Sequence, residues 1–181
     1  MPIGPKKLLE LVKKKKLVEN LSERELTNPE GAGFDIRLAE VFELKGKRED
    51  FLGITERKTS DTVSVAKYKK GKEVFFNFRK GKYYLVKTLE SVNLPDDIAS
   101  YVYSRSTLFR SGLVLIATQI APGYHGELTF GLKNVEDFDM KIALGARIAH
   151  IQFEYVKGGG SRYRGQWKGG RVSASKKEKQ V

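Results

Sequence analysis

The feature that most limits the possible folds of this chain is a series of short strand-forming segments that begins after Gly33. Glycine, proline, asparagine or aspartate separates these segments, and the last one alternates two faces from Ile148 to Tyr155. Many short strands at such a spacing are typical of antiparallel sandwiches and barrels, whereas a parallel α/β fold would alternate strands with helices. The other predicted strands cover residues 61–68, 74–78, 82–88, 99–103, 113–120 and 128–133.

The residues around this β region carry weaker local signals. Apolar spacing predicts a helix over Pro5–Val18, with lysines around the apolar face. Ser22 and Glu25 have the spacing of a capping box and predict one short helical turn. The polar composition of Lys45–Ser60 predicts a loop or a loose hairpin.

Positive charge is concentrated at two places in the chain. The net charge is +12, and the basic residues cluster at Lys13–Lys16 and in the glycine-containing stretch after residue 157. A basic chain invites a nucleic-acid partner, but this placement argues against one, because a basic tail can also close over a triphosphate. We therefore divide the chain into a β domain with an N-terminal helix, residues 1–157, and a flexible basic lid or tail, residues 158–181.

Composition excludes several kinds of chemistry. The chain has no cysteine, so disulfides, thiolate metal sites and a cysteine nucleophile are excluded, and a reducing cytoplasm is expected. Only His125 and His150 exist, which excludes a multi-histidine metal site. No apolar run is long enough to cross a membrane, and no signal-peptide core is expected. A composition rich in lysine and glutamate without cysteine fits a thermophile.

Two segments carry groups suited to a nucleotide. Ser104, Arg105 and Ser106 follow a predicted strand, and hydroxyls beside a guanidinium can hold a polyphosphate, with Arg110 adding charge nearby. The turn that contains Tyr124 offers a flat ring to a deoxyribose, although core packing is the alternative use of that ring. Together the two segments predict a nucleotide site.

Five segments occur in an order that resembles the motifs of the trimeric dUTPase and dCTP deaminase superfamily. The leading helix and the phrase Leu94–Ile98 resemble the archaeal dUTPase-like members in particular. The resemblance spans nearly the whole chain. The five segments are Ala32–Arg37, Ser104–Gly112, Pro122–Gly126 with the strand after it, Arg147–Ile151 and Tyr163–Gly170.

The resemblance implies a mainly β fold, a distorted antiparallel barrel like a jelly roll, assembled as a homotrimer with active sites between subunits. It also implies a deoxynucleoside triphosphate as ligand, with Mg²⁺ bound through the phosphates and no direct protein ligand for the metal. Asp35 belongs to the first motif, where a turn residue bonding its own backbone is the alternative use. The implied substrate-binding and lid residues are Ser104, Arg105, Ser106, Arg110, Tyr124, His150, Arg164, Gln166 and Trp167.

The chain departs from both enzyme types at the residues that move protons. Similar dUTPases carry an aspartate three residues before the turn aromatic, where this chain has Ala121. Similar dCTP deaminases carry a glutamate in the following strand, where this chain has Gly131. Loss of a general base typically costs ~10²–10⁴ in rate. Glu127 and His125 are the nearby candidates for a replacement, and Glu127 also fits a solvent-exposed strand position.

The favoured prediction is a dUTPase-type pyrophosphatase that converts dUTP and water to dUMP and diphosphate, with turnover placed in doubt by Ala121. Three alternatives stay open. The first is a catalytically weak nucleotide-binding or regulatory homologue. The second is a dCTP deaminase, which Gly131 disfavours. The third is a basic nucleic-acid-binding β domain.

Overall fold

The computed structural model describes residues 1–45, 50–174 and 176–179, and strands dominate it. The helices are α1 (Pro5–Lys15), α2 (Glu23–Thr27) and α3 (Ser106–Arg110), with one 3₁₀ turn at Lys168–Gly170. The strands are β1 (Val18–Glu19), β2 (Gly33–Lys45), β3 (Phe51–Leu52), β4 (Glu56–Lys58), β5 (Asp61–Lys67), β6 (Phe75–Phe78), β7 (Tyr83–Asn93), β8 (Ile98–Ser104), β9 (Leu113–Ile116), β10 (His125–Asn134), β11 (Met140–Ala143), β12 (Arg147–Tyr155) and β13 (Glu178–Lys179).

One antiparallel sheet wraps most of the way around the molecule. Its strands follow the order β8-β12-β2-β7-β10-β9, with β5 on β2 and β1 on β7. A two-way backbone bridge between Ser100 and Ile120, at 3.0 and 2.9 Å, links β8 to the segment after β9 and nearly closes the barrel. The predicted mainly β, antiparallel, barrel-like fold is confirmed.

The long strand β2 gives the barrel its distortion. Residues 33–37 pair with β12, whereas residues 38–45 pair with β7 and β5. Register shifts interrupt the pairing of β2 with each of these three strands, and such bulges bend a strand and increase its twist. One strand thus joins the two halves of the barrel, with Asp35 in the half that faces β12.

The core forms where alternate residues of these strands point inward. Phe34, Ile36 and Leu38 on β2 are fully buried, as are Ile151 and Phe153 on β12. Each such side chain contributes about 1.5–3 kcal/mol through burial. This period-two pattern is the signal that made the strands predictable from sequence.

The N-terminal helix is three residues shorter than predicted. Lys16 adopts a left-handed backbone conformation, with φ of 52°, and its N–H donates to the carbonyl of Val12 at 3.0 Å. This cap ends α1 at Lys15 and turns Val18 into β1, where it pairs with Val92. Further on, Ser22 Oγ accepts a hydrogen bond from the Glu25 N–H at 3.4 Å, so the predicted short turn forms as α2.

The other local predictions agree with the structure only in part. The segment Lys45–Ser60 contains the small hairpin of β3 and β4, and its residues 46–49 lie outside the described part of the chain. The predicted strand 113–120 stops at Ile116, because the chain then leaves β10 to bridge Ser100. Strand periodicity also gave no sign of α3.

The segment after residue 157 lies across the barrel. Ala174 is fully buried. Its carbonyl accepts a hydrogen bond from the Thr59 N–H at 3.0 Å, and its own N–H donates to Thr59 Oγ1 at 2.8 Å. Strand β13 then pairs with β4. In the part of the chain that the structure describes, no helix combines the length and apolar character needed to span a bilayer.

Candidate functional site

A cavity of about 430 Å³ lies between the barrel wall and the tail, beside Tyr124. Aromatic, aliphatic and hydroxyl side chains make most of its wall. It is lined by Leu44, Asp50, Thr59, Ser60, Tyr83, Leu85, Thr118, Gln119, Ile120, Ala121, Tyr124, Leu128, Thr129, Phe130, Tyr163, Trp167, Arg171 and Val172. We call this space the Tyr124 cavity.

The turn that presents Tyr124 is held on both sides. Gly123 has a φ of 73°, a left-handed conformation that glycine adopts without strain, and its N–H donates to the carbonyl of Leu94 at 3.0 Å. The Leu94 N–H in turn donates to the carbonyl of Tyr124 at 2.9 Å. The ring of Tyr124 packs edge-to-face on Tyr163, with 5.3 Å between centroids.

The phenol of Tyr124 is nearly buried and stays neutral. Its oxygen lies 2.7 Å from the carbonyl of Glu127 and 3.2 Å from that of Trp167. Burial raises the pKa of Tyr124 to about 12. Tyr124 therefore offers a ring face and a fixed hydroxyl, and does not serve as a base near neutral pH.

A glycine on each side lets the tail reach this turn. Gly126 has a φ of 124°, and a side chain there would lie 2.7 Å from the Gly169 Cα and the Gly170 nitrogen. The close approach of the two backbones thus depends on Gly126. It brings the 3₁₀ turn of the tail against β10 and places Trp167 in the cavity wall.

The predicted lid residues lie at different depths. Trp167 has the Arg57 guanidinium 4.8 Å from its ring centroid and that of Arg171 at 5.8 Å. Gln166 accepts a hydrogen bond from Arg57. Arg164 is exposed and is not part of the cavity wall. Arg57, on the hairpin of β3 and β4, therefore contacts two of the three predicted lid residues, Gln166 and Trp167.

The two positions that lack an acid lie at or beside the cavity. Ala121 is part of the wall. Gly131 lies on β10 beneath Tyr83, and a side chain added there would collide with the Tyr83 hydroxyl and lie 2.9–3.0 Å from its ring carbons. The carboxylate of Glu127 lies against Gly170 and not in the cavity wall. His125 is exposed at the start of β10.

Asp50 is the one carboxylate among the described residues that line the cavity. Ser60 Oγ lies 2.7 and 2.9 Å from its two oxygens and donates to it. Sequence reasoning missed Asp50, because a single acid inside a polar segment gives no signal of where the chain will carry it. Tyr83 was missed for a similar reason, since its place over Gly131 depends on strand register.

A second group of polar residues surrounds Asp35, whose side chain is 1% exposed. Its carboxylate accepts hydrogen bonds from Arg105 and from Arg147 at 2.9 Å, and Arg24 Nη1 lies at 3.5 Å. The ring nitrogen Nδ1 of His150 lies 3.1 Å from the other carboxylate oxygen. We call these five residues the Asp35 cluster.

Strand pairing explains why the Asp35 cluster forms. Strand β12 lies between β2 and β8, so His150 is directly opposite Asp35 on one side and Tyr103 on the other. Arg105 follows the end of β8, two residues after Tyr103. Residues more than 100 positions apart in the chain thus meet at adjacent rungs of one sheet.

Acidic groups from α2 complete the charge balance of this cluster. Glu25 is buried, accepts from the Asp35 N–H at 3.0 Å and pairs with Arg24. Burial lowers the pKa of His150 below its usual 6.5, so its imidazole is neutral at pH 7. Burial, with the neighbouring Arg147, also lowers the pKa of Arg105. Arginine keeps its charge near neutral pH all the same.

The structure places some of the predicted site residues in two groups and leaves the others outside both. Tyr124 and Trp167 line the cavity, whereas Arg105 and His150 belong to the Asp35 cluster. Ser106 and Arg110 are exposed on α3, and Ser104 Oγ donates to the carbonyl of Arg105 at 3.2 Å. In the described part of the chain, the cavity wall contains none of the phosphate-binding candidates at 104–110.

The chain is similar to known proteins in family, in sequence and in structure. A family model described as dCTP deaminase-like matches residues 4–156. The dCTP deaminase of Pyrococcus furiosus is 31% identical over 170 residues, covering 93% of this chain and 95% of the relative. The dUMP-forming dCTP deaminase of Dictyoglomus turgidum is 28% identical over 178 residues, covering 92% and 91%.

A solved structure shares the fold. The crystal structure of the 2′-deoxycytidine 5′-triphosphate deaminase from Agrobacterium tumefaciens superposes with a TM-score of 0.62 at 17% identity. The match covers 84% of this chain and 47% of that protein, so this chain spans about half of its length. At this identity the likeness is one of fold.

Proposed function

This chain belongs to the dCTP deaminase-like family, and we propose that it binds a pyrimidine deoxynucleoside triphosphate, with sugar and base in the Tyr124 cavity. The observation that carries this proposal is the cavity itself, whose volume of about 430 Å³ suits one nucleoside. The Tyr124 ring forms one wall and Trp167 contributes to the cover. A flat ring beneath a deoxyribose leaves no room for a 2′-hydroxyl.

Hydrolysis is the reaction that we propose, and we expect it to be slow. Water would attack the α-phosphorus of dUTP in line, giving dUMP and diphosphate. Ala121 has no group that could accept the proton of that water. A carboxylate from another residue would have to accept it. Asp50 is the carboxylate in the cavity wall, held by Ser60, whereas Glu127 lies against the tail.

Deamination is a second candidate, because the curated relatives are named dCTP deaminases. Deamination needs a group that shuttles protons to the cytosine ring. The position from which a glutamate would do so is Gly131, and the Tyr83 phenol fills the adjoining space. Burial raises the pKa of Tyr83, so this phenol is a poor proton acceptor near neutral pH. The geometry therefore favours hydrolysis.

We also propose that the phosphate grip comes from a second copy of the chain. Ser104, Arg105, Ser106 and Arg110 are outside the cavity wall of their own chain, so a homotrimer with shared sites is the arrangement that unites them. Residues 158–181 act as the lid. Mg²⁺ would enter bound to the triphosphate and neutralise its charge.

The test is calorimetry with dUTP, dCTP and dTTP in the presence of Mg²⁺, with products separated by ion exchange. We expect binding of deoxynucleotides and slow formation of dUMP from dUTP. Formation of dUTP or dUMP from dCTP would show deamination and would overturn the choice of hydrolysis. Sedimentation as a clean monomer at micromolar concentration would contradict the shared site. If no deoxynucleotide binds, the proposal fails and nucleic-acid binding becomes the next hypothesis.

A further inference from the structure

The sheet side of the Tyr124 cavity carries two side-chain hydroxyls around Gly131. In the antiparallel pair of β7 and β10, Gly131 is opposite Leu85, and Lys133 is opposite Tyr83. Side chains two apart on a strand share a face, so Tyr83, Leu85, Thr129 and Gly131 form one surface. The Tyr83 ring leans across Gly131, which has no side chain to keep it away.

The hydroxyls of Tyr83 and Thr129 differ from the polar groups on the loop side of the cavity. There, Ser60 donates to Asp50, and Gln119 donates to the Tyr101 hydroxyl at 3.0 Å. Thr59 Oγ1 accepts from the tail at 2.8 Å. The loop-side hydroxyls and amide are therefore already engaged within the protein.

Thr129 Oγ1, in contrast, is buried and has no hydrogen-bond partner among the described residues. Tyr83 is 37% exposed, and its hydroxyl lies over Gly131. A buried polar atom without a partner costs free energy, so such atoms are rare in native proteins unless a ligand or water pairs with them. Both atoms belong to residues that line the cavity.

We propose that the hydroxyls of Tyr83 and Thr129 together bind the polar edge of the pyrimidine ring. This inference rests on the proposed function and makes it specific, since it assigns the base to the β7–β10 wall and the sugar to Tyr124. A hydroxyl can donate or accept, so the pair can meet both a ring carbonyl and a ring N–H. Leu85 between them supplies an apolar contact for the flat ring.

The same placement gives Gly131 a positive role. A larger residue there would displace the Tyr83 hydroxyl, so glycine is what allows the phenol to reach the cavity. The neutral phenol of Tyr83 thus lies beside the position where a proton-shuttling acid would be. In this arrangement the pyrimidine is bound without being deaminated. Tyr83 and Thr129 are specificity-determining residues in this scheme.

The variants Tyr83→Phe and Thr129→Val remove one hydroxyl each and keep the size of the side chain. Each is expected to weaken dUTP binding about 2- to 10-fold, the usual worth of one neutral hydrogen bond. Affinity for inorganic triphosphate, which has no base, should not change. Thr129→Ser, which keeps the hydroxyl, should bind dUTP as the wild type does. Tyr155→Phe, on β12 and outside the cavity wall, is the matched control.

The outcomes separate this inference from the proposed function. If the wild-type protein binds no deoxynucleotide, the proposed function itself fails. If it binds dUTP and both variants bind equally well, the assignment of the base edge is wrong while the proposed function stands. Equal losses for dUTP and inorganic triphosphate would show that the hydroxyls only support the fold. Should Tyr83→Phe fail to fold by circular dichroism, Thr129→Val decides.

Discussion

The Asp35 cluster and the Tyr124 cavity are built on opposite principles. In the cluster, one buried carboxylate lies among three arginines and a histidine, so charge is dense and space is absent. In the cavity, about 430 Å³ of space is surrounded by rings and hydroxyls, with Asp50 as its acid. A triphosphate needs both charge and space, and one chain by itself offers them in different places.

The difference follows from what burial costs. A buried carboxylate loses its hydration and is stable only when close cations and N–H groups replace it. Asp35 therefore recruits Arg105, but it uses one nitrogen of a guanidinium that carries five N–H donors. The remaining donors stay available to a phosphate, so Arg105 can serve the fold and a ligand together.

The largest effect should come from Asp35→Asn. Loss of this charge would leave Arg105 and Arg147 without the carboxylate that they share, and removal of one partner from a buried ion network typically costs about 3–5 kcal/mol. Urea unfolding followed by circular dichroism measures the free energy of unfolding. Asp96→Asn is the control, because its pair with Arg162 is exposed and should change stability little. An unchanged midpoint for Asp35→Asn would show that the cluster does not hold the barrel together.

Ala121→Asp tests whether the cavity lacks only a base. We expect the rate of dUTP hydrolysis to rise by ~10² or more, because a general base acts on the transition state. Affinity should stay nearly constant for the same reason. The rate constant and the dissociation constant are measured separately, with Ala121→Asn as the uncharged control. Brisk hydrolysis by the wild type would mean that another group already serves, and Asp50→Asn and Glu127→Gln would then identify it.

Ser106→Ala probes the phosphate set without disturbing Asp35. Ser106 is exposed on α3, and a hydrogen bond to a charged group is worth about 1.5–3 kcal/mol, so triphosphate affinity should fall at least ~10-fold. Binding of the bare nucleoside should be unaffected. Ser111→Ala, at the other end of α3, is the matched control. A similar loss for nucleoside and triphosphate would indicate a structural role.

The smallest effect should be a pH dependence that arises in the Asp35 cluster. Burial lowers the pKa of His150 below 6.5, so below that pH the unfolded chain binds more protons than the folded one. Stability should therefore fall as pH decreases from 6.5, and His150→Gln should flatten this slope. His125→Gln, at an exposed position, should leave it unchanged. Equal slopes for wild type and His150→Gln would place the titration elsewhere.

Some of this molecule was predictable because the signal is local. The alternation along β12 follows from strand geometry, and the cap at Ser22 follows from the spacing of two residues. The end of α1 was missed because the left-handed cap at Lys16 has no glycine to announce it. The candidate residues of the second and third segments were found through their order along the chain, which says nothing of the distance between them.

The sequence alone determined a mainly β chain with a nucleotide-type residue set and without the two expected acids. Only the tertiary structure decided that Arg105 serves Asp35, 70 positions away, that Asp50 lines the cavity, and that Tyr83 covers Gly131. The physical reason is that backbone preference and face alternation act over a few residues. Strand register and bulges, in contrast, bring distant residues together through the packing of the whole barrel.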